Sequence, residues 1–232
     1  MSIGNQVSTA VQIYPNGRTL STMAINIDGR RVRGDRTRRT VLDHAVQEAS
    51  VRGLDALSFG ALAASAPVNK SAIAGLFGSK EKLQLAAVER AAEIYTEHVI
   101  IPARSAERGL PRVWALVLAW IEYSRRRVFQ GGCFFRSVEV EFDMREGAVR
   151  DAVVAAQRSW ESYVAHQVRT AVDAGELAPG TDPGQVEFEI NALLNAANDR
   201  SLLLGDDGVY PRAREAVRAL LVARGADPDG LV

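Results

Sequence analysis

The sequence predicts an all-α protein, with a small three-helix unit near its N-terminus and a larger helical unit after it. Along most of the chain apolar residues recur at intervals of three and four, the spacing of one helix face. Gly, Pro and capping Ser, Asn or Asp residues separate these stretches at helix-length intervals. Beyond Pro102 no stretch alternates apolar and polar residues as a half-buried strand does.

The charge of the chain is unevenly spread, although its composition is that of an ordinary globular protein. Among 232 residues, 47% are hydrophobic and 24% are charged, and the formal net charge is zero. Residues 30–82 carry 10 Lys and Arg against 5 Asp and Glu, whereas residues 83–232 carry 17 against 22. The basic part therefore favours an anionic partner, and the acidic remainder does not.

Cysteine usage and hydropathy predict a cytoplasmic protein that does not enter a membrane. The longest purely apolar run, residues 113–121, is shorter than the roughly 20 residues of a membrane span. No basic segment precedes an apolar core at the N-terminus, so no secretion signal is predicted. The single cysteine, Cys133, excludes an internal disulfide and fits a reducing compartment.

The first 29 residues are rich in β-forming residues on either side of Pro15-Asn16-Gly17, which is a turn signal. A small hairpin is one interpretation, although a lone hairpin is marginally stable in water. A mobile tail and a start codon ahead of Met23 remain equally open. We assign no function to this segment and treat residues 1–35 as an extension, arm or mobile tail.

Helix one is predicted from about residue 37 to residue 52, where Gly53 ends it. Its apolar face has the spacing i, i+3, i+4 and i+7, at Leu42, Ala45, Val46 and Ala49. Six arginines precede this face and form a basic arm that leads into the helix: Arg30, Arg31, Arg33, Arg36, Arg38 and Arg39. A disordered solubilising tail is the alternative for the arm.

Two short helices joined by a tight turn follow, and the rest of the prediction depends on them. Ser58 is an N-cap for the first helix, and Pro67 breaks that helix because proline lacks a backbone N–H. Asn69 caps the second helix, on which Ile73 and Phe77 lie one turn apart and face inward. The pair is a helix-turn-helix, whose second helix can enter a DNA major groove.

This stretch resembles the DNA-binding domain of the TetR family of one-component transcriptional regulators. The matching positions are Leu62, Ala63, Ala66, Val68, Lys70, Phe77, Ser79, Lys80, Glu81 and Leu83. Three positions depart from the family pattern. Pro67 replaces the glycine of the turn, Ala74 replaces a tyrosine that usually touches phosphate, and Leu76 replaces a polar residue.

The resemblance implies that residues 36–82 form a DNA-binding domain whose partner is double-stranded DNA with a palindromic operator. The implied contact residues are Arg36, Arg38, Arg39, Ser58, Asn69, Lys70, Ser71, Ala72 and Lys80. Ser79 is a further N-cap, and the start of helix four behind it favours a phosphate. Because Ala74 lacks the phosphate contact and Gly75 weakens the helix, we expect modest affinity or compensation by the arginine arm.

The resemblance also implies that residues 83–224 form a ligand-binding and dimerisation domain, with residues 225–232 as a loose tail. Helices are predicted at about residues 80–101, 110–128, 133–142, 147–174 and 210–223, and a further helix is predicted to start at Thr181 or Asp182. A cavity among helices four to eight is expected to hold a small apolar or aromatic effector. The candidate ligand residues are Tyr95, His98, Trp114, Tyr123, Phe134, Phe135, Trp160, Tyr163 and Asn195. At any one of these positions a plain core role is the alternative.

Asparagines form a second stripe on the helix that starts near Asp182. Asn191, Asn195 and Asn198 recur at i, i+4 and i+7, and buried amides need partners. Solvation, pairing across a dimer interface and exposure to a ligand cavity are the three interpretations. Cys133 is interpreted as a small buried filler, with redox sensing as the alternative.

The last two helices have broad apolar faces that suit a homodimer packed as a four-helix bundle. The predicted interface residues are Val186, Ile190, Leu193, Ala197, Val217, Leu220 and Leu221. A dimer also places two recognition helices about 34–36 Å apart, the spacing of successive major-groove faces.

Three function classes were compared on the sequence alone. The first is a transcriptional regulator of the repressor type, released from its operator by a ligand. The second is a ligand-binding or interaction dimer with weak or lost DNA reading, suggested by Ala74, Gly75 and Leu76. The third, an enzyme, has no support: the three histidines fall on separate helices, and Glu139 and Glu141 do not share a helix face. No cofactor and no metal are expected.

Overall fold

The computed structural model describes residues 29–232 of the chain, and side chains from Val32 onward. Within this range the chain forms nine helices and no strand, which confirms the predicted all-α class. The helices are α1 (Gly29–Arg52), α2 (Phe59–Ser65), α3 (Lys70–Phe77), α4 (Lys80–Tyr95), α5 (Leu110–Arg125), α6 (Phe134–Phe142), α7 (Ala148–Asp173), α8 (Pro183–Leu204) and α9 (Val209–Val222). The hairpin considered for the first residues lies outside the described range.

Helix α4 does not end at Tyr95. It continues through a π-helical segment, Thr96–Ile100, into a last turn at Ile101–Ala103. The prediction that this helix extends to about residue 101 is therefore confirmed. Widened turns of this kind often occur at functional sites.

Helix α1 begins eight residues earlier than predicted, at Gly29 instead of Thr37. The end of the proposed arm is therefore helical, a correction to its description as an extension. No proline interrupts this stretch, and arginine is a good helix former. The hydroxyls of Thr37 and Thr40 donate to carbonyls one turn earlier, at 2.9 and 3.1 Å, a bond that threonine can make within a helix.

The three predicted caps around the helix-turn-helix are confirmed. The side chain of Ser58 accepts from Ala61 N at 3.0 Å, and that of Asn69 accepts from Ala72 N at 2.9 Å. Ser79 caps α4 by accepting from Lys82 N at 3.2 Å. Each cap satisfies a backbone donor that a helix leaves free at its first turn. The inward residues Ile73 and Phe77 are buried, as predicted.

In the larger part of the chain, α8 packs between α7 and α9, and α5 packs against all three. This arrangement corrects the predicted dimer interface. Five of its seven residues are buried inside the single chain: Val186, Ile190, Ala197, Val217 and Leu221. Leu193 and Leu220 are partly buried and pack against the same core. The apolar faces of α8 and α9 are thus satisfied by each other and by neighbouring helices.

The C-terminal residues are packed, whereas a loose tail was expected. Ala226 and Leu231 are buried. Trp114 Nε1 donates to the carbonyl of Val232 at 3.0 Å, and Arg218 donates to the carbonyls of Leu231 and Pro228 at 3.3 and 3.1 Å. These contacts hold the end of the chain against α5 and α9, which its Gly-, Pro- and Asp-rich sequence did not indicate. None of the helices in residues 29–232 has the length and apolar character to span a membrane.

Candidate functional site

The exposed N-terminal turn of α3 forms the first candidate site. Asn69, Lys70, Ser71 and Ala72 are all exposed, and Gly75 follows on the same side one turn later. Asn69 Oδ1 is occupied, because it accepts from Ala72 N and, at 2.8 Å, from Ser71 Oγ. Lys70 makes no ion pair with a residue that the structure describes. Its charge is therefore available at the surface.

Two predicted contact arginines are engaged within the chain. The guanidinium of Arg38 stacks over the Phe77 ring at 4.5 Å and donates to the Leu76 carbonyl at 3.3 Å. It therefore braces α1 against the C-terminal end of α3. Arg39 approaches Glu97 at 3.5 Å, and both side chains are half exposed, so this pair is weak. Arg36 is exposed.

Lys80 is held by the turn that precedes α2. Its Nζ donates to Asp55 at 2.6 Å to the carbonyl and 2.8 Å to the carboxylate. Arg145 reaches the same carboxylate at 3.3 Å. Lys80 first, and then Arg145, lowers the pKa of Asp55 below its usual value. Ser58 uses its hydroxyl oxygen as the N-cap of α2. Both residues thus have structural contacts at the positions where DNA contact was expected.

A cavity of about 250 Å³ forms the second candidate site, between α4, α6, α7 and α8. Five predicted ligand residues line it: Tyr95, Phe135, Trp160, Tyr163 and Asn195. The Tyr95 ring lies edge to face with Phe135 and Trp160, at centroid distances of 6.0 and 5.4 Å. This geometry fixes one aromatic wall of the cavity.

The other four predicted ligand residues do not line this cavity. His98 is exposed on α4. Trp114 is buried against the C-terminal residues. Tyr123 lies behind Tyr95, with ring centroids 5.4 Å apart, and Phe134 lies behind Phe135 at 5.4 Å. The helical period correctly placed Trp114, Tyr123 and Phe134 on buried faces, but it did not distinguish the cavity wall from the core behind it.

The asparagine stripe has two environments. Asn191 and Asn195 line the cavity, as one of the three interpretations proposed. Trp160 Nε1 donates to Asn191 Oδ1 at 2.7 Å, and Asn191 Nδ2 donates to Glu187. Asn198 is buried, and its Oδ1 accepts from Ser124 Oγ at 3.1 Å and from Cys133 N at 2.9 Å.

Charged cavity residues were missed by the sequence reading. Helix α6 contributes Phe135, Arg136 and Glu139 to the cavity. Glu139 follows the other two at three and four residues, so the helical period already placed it on their face. Arg136 forms a two-pronged pair with Asp199 at 3.0–3.3 Å. Cys133 also touches the cavity; burial raises the pKa of its thiol, so the thiol stays protonated and packs as a small filler.

Glu187 lies behind the cavity wall and is buried on α8. Burial, and to a smaller extent the nearby Glu161, raises the pKa of its carboxyl to about 7. The folded chain therefore binds this proton more tightly than the unfolded chain, for which the ordinary value is 4.5. Stability that the protonated group gives is lost as pH rises from 4.5 through 7.

We expect Glu187→Gln to raise the free energy of unfolding at about pH 8 by about 1–2 kcal/mol, after allowance for solvent screening. The amide has no charge to bury, so the variant should keep its stability between about pH 5 and pH 8, where the parent chain loses some. Urea unfolding at both pH values measures this. Glu89→Gln, at an exposed carboxylate on α4, is the matched control. Equal pH dependence of parent and variant would contradict the assignment.

A set of polar contacts joins the helix-turn-helix to α6 and the loop before it. Glu141 on α6 accepts from the backbone N–H groups of Leu54 and Asp55 at 2.6 and 2.7 Å. Gln47 on α1 donates to the Val128 carbonyl at 2.9 Å. Ser50 Oγ accepts from Gly131 N at 3.1 Å. Glu141 thus points toward the helix-turn-helix, while Glu139 on the same helix faces the cavity, in agreement with their predicted lack of a common face.

Within residues 29–232, no three His, Cys, Asp or Glu side chains are placed to hold a metal ion. The candidate sites are one exposed helix turn and one cavity whose wall combines aromatic and polar side chains. Helix α4 connects them, since it begins two residues after α3 ends and contributes Ala92, Tyr95, Thr96 and Ile100 to the cavity.

Comparison with known proteins gives two family matches. Residues 41–87 match the model described as bacterial regulatory proteins, tetR family, and residues 109–217 match the tetracyclin repressor-like C-terminal domain. No curated protein matches the chain.

Solved structures show the same fold. A TetR transcriptional regulator from Chloroflexus aurantiacus has a TM-score of 0.76 at 24% identity, over 82% of this chain and 96% of that one. A TetR-family regulator from Cytophaga hutchinsonii has a TM-score of 0.72 at 20% identity, over 83% and 96%. AibR, in complex with isovaleryl coenzyme A and operator DNA, has a TM-score of 0.58 at 17% identity, over 70% and 86%.

Proposed function

Because the chain belongs to the TetR family of bacterial transcriptional regulators, we propose that it is a repressor that leaves its operator when a small molecule binds. The observation that carries the proposal is the aromatic cavity, whose wall includes α4, the helix that follows directly after α3. Five aromatic side chains line the cavity, so it suits a small apolar or aromatic effector. AibR, a fold neighbour, has both an acyl coenzyme A and DNA in its structure.

The proposed DNA contacts are the exposed residues at the start of α3, led by Lys70, with Arg36 on α1 in support. The N-terminal turn of a recognition helix faces base edges and phosphates. Arg38 and Lys80 are better explained as braces, because both already have partners within the chain. Fewer arginines than the sequence suggests are therefore free to replace the phosphate contact of the tyrosine missing at position 74.

A homodimer would bring two copies of α3 to successive major-groove faces. The exposed side of α8 is the proposed contact in place of the buried residues predicted earlier. Phe188 and Leu203 are 66% and 84% exposed there, and the exposed Ala192 and Ala196 lie between them at helical spacing. Small residues between two large apolar residues on one face suit close helix packing across a two-fold axis.

Two structural connections would transmit the effect of a bound ligand from the cavity to the helix-turn-helix. The first is α4, and the second is α6, which lines the cavity with Phe135 and Glu139 and holds the turn before α2 through Glu141. A ligand needs to prefer the non-binding state by only about 1–3 kcal/mol to change occupancy usefully.

DNA selection from a random pool with the purified protein tests the proposal. A palindromic consensus, with loss of binding when an effector is added, is the expected result. A protein that selects no sequence at low ionic strength would instead be a ligand-binding or interaction dimer without specific DNA reading.

Lys70→Ala is expected to weaken binding to the selected operator about tenfold, since one phosphate or base contact is lost in each subunit. The slope of log K against log salt should become shallower by about two per dimer. Fluorescence anisotropy at several salt concentrations measures both quantities. Arg169→Ala removes an exposed charge on α7, away from the proposed DNA surface, and serves as the control. An unchanged slope in Lys70→Ala would show that Lys70 does not neutralise phosphate.

A further inference from the structure

One carboxylate in the cavity wall has no partner. Glu139 lines the cavity, is only partly exposed, and forms no hydrogen bond or ion pair with a side chain in residues 32–232. Arg136, the nearest cation on the same helix, is already held by Asp199 at 3.0–3.3 Å. A partly buried charge without a partner is costly, so this position favours a positive group from outside the chain.

Charged residues of both signs surround Glu139. The adjoining cavity of about 230 Å³ shares Glu139 and Gln157 with the first, and Glu161, Arg150 and Arg158 also line it. Arg104 is the one cavity cation without a side-chain partner among the described residues, and it is exposed at the end of the α4 extension, where water screens it.

The aromatic walls add a second attraction for positive charge. Tyr95, Phe135 and Trp160 form an edge-to-face cluster, and Trp120 and Tyr163 complete the lining. Ring faces attract ammonium groups, and this attraction is strongest where water is excluded.

We propose that the effector is an organic cation, with one ammonium group beside Glu139 and an apolar or aromatic body against the rings. This inference rests on the proposed function, because it assumes that the cavity is the effector site. A cavity of about 150 Å³ holds benzene, so about 250 Å³ accommodates a body of about ten non-hydrogen atoms.

A charge series tests the proposal on the full chain. Benzyltrimethylammonium, its neutral isostere neopentylbenzene, and the anion phenylacetate are titrated by calorimetry. Tryptophan fluorescence, to which the cavity residues Trp120 and Trp160 contribute, reports on the site. The cation should bind at least about tenfold more tightly than the isostere, and the anion most weakly. Equal or tighter binding of the isostere or the anion, or no binding by any probe, would overturn the proposal.

The variant Glu139→Gln should weaken binding of the cation about tenfold and leave that of the isostere within about twofold. Glu146→Gln, an exposed carboxylate just beyond α6, is the matched control and should change neither affinity. An unchanged cation affinity in Glu139→Gln would refute the role of Glu139. If this variant unfolds, the probe series on the unaltered chain still decides the charge class.

Measurements of DNA binding distinguish an error in the charge class of the ligand from an error in the proposed regulation. If the isostere or the anion fills the cavity and releases DNA, the charge class is wrong while the effector function stands. If the cation binds the cavity through Glu139 and leaves DNA affinity unchanged, the binding site stands while the proposed regulation fails.

Discussion

Gly131→Ala is expected to lower the free energy of unfolding by about 3 kcal/mol, the largest effect of any single substitution considered. A Cβ atom on Gly131 would lie 1.9 Å from the Ser50 carbonyl oxygen and 2.4 Å from its carbon. Both are backbone atoms of α1, so no side-chain rotation relieves the clash. The loop before α6 would have to move away from α1, with loss of the bond from Gly131 N to Ser50 Oγ.

Denaturant unfolding followed by circular dichroism measures the loss, and heat unfolding should show a midpoint lower by about 6–12 °C. The control is Gly230→Ala, where a Cβ atom meets no other atom within 4 Å. If Gly131→Ala unfolds within about 0.5 kcal/mol of the parent chain, the close approach of these two backbones is wrong.

Glu141→Gln is expected to lower the free energy of unfolding by about 1.5–3 kcal/mol and to weaken operator binding. The carboxylate accepts from two adjacent backbone donors, Leu54 N and Asp55 N, just ahead of α2. An amide keeps one acceptor oxygen and turns an N–H group toward the second donor. The turn before the helix-turn-helix would therefore lose one charge-assisted bond.

Amide hydrogen exchange gives a local measurement of this effect. Exchange at Leu54 and Asp55 should accelerate in Glu141→Gln, while exchange in the centre of α7 changes only with global stability. Glu146→Gln removes an exposed charge nearby and should leave these amides unchanged. Unaltered exchange at both amides would show that Glu141 does not hold this turn.

The helix-turn-helix could be predicted from the sequence because its signals involve residues that are close along the chain. Ser58, Asn69 and Ser79 cap the helices that they were predicted to cap, because each side chain satisfies a donor only three residues away. The spacing of Ile73 and Phe77 likewise identified a buried face. Both signals are contained within one or two helical turns of sequence.

Contacts between residues that are distant in sequence could not be predicted. The apolar faces of α8 and α9 were correctly recognised, but periodicity does not say whether such a face meets the same chain or a second copy. Val186 and Val217 are covered within the chain. Arg38 and Lys80 were read as phosphate contacts because their charge is visible in the sequence, whereas their partners Phe77 and Asp55 lie 39 and 25 residues away. Aromatic cavity residues were predicted, but Glu139, which has no side-chain partner among the described residues, was identified as a cavity residue only from the structure.

The π-helical segment Thr96–Ile100 changes how α4 presents its side chains. Tyr95 and Ile100 would lie about 140° apart around a uniform α-helix, but the wider turn brings both to the same cavity wall. A molecule that presses on this wall acts where the hydrogen-bond ladder is irregular, so the helix can yield by axial rotation as well as by tilt. Each α3 of a dimer would then roll within its groove, and DNA release would not require the two subunits to move apart.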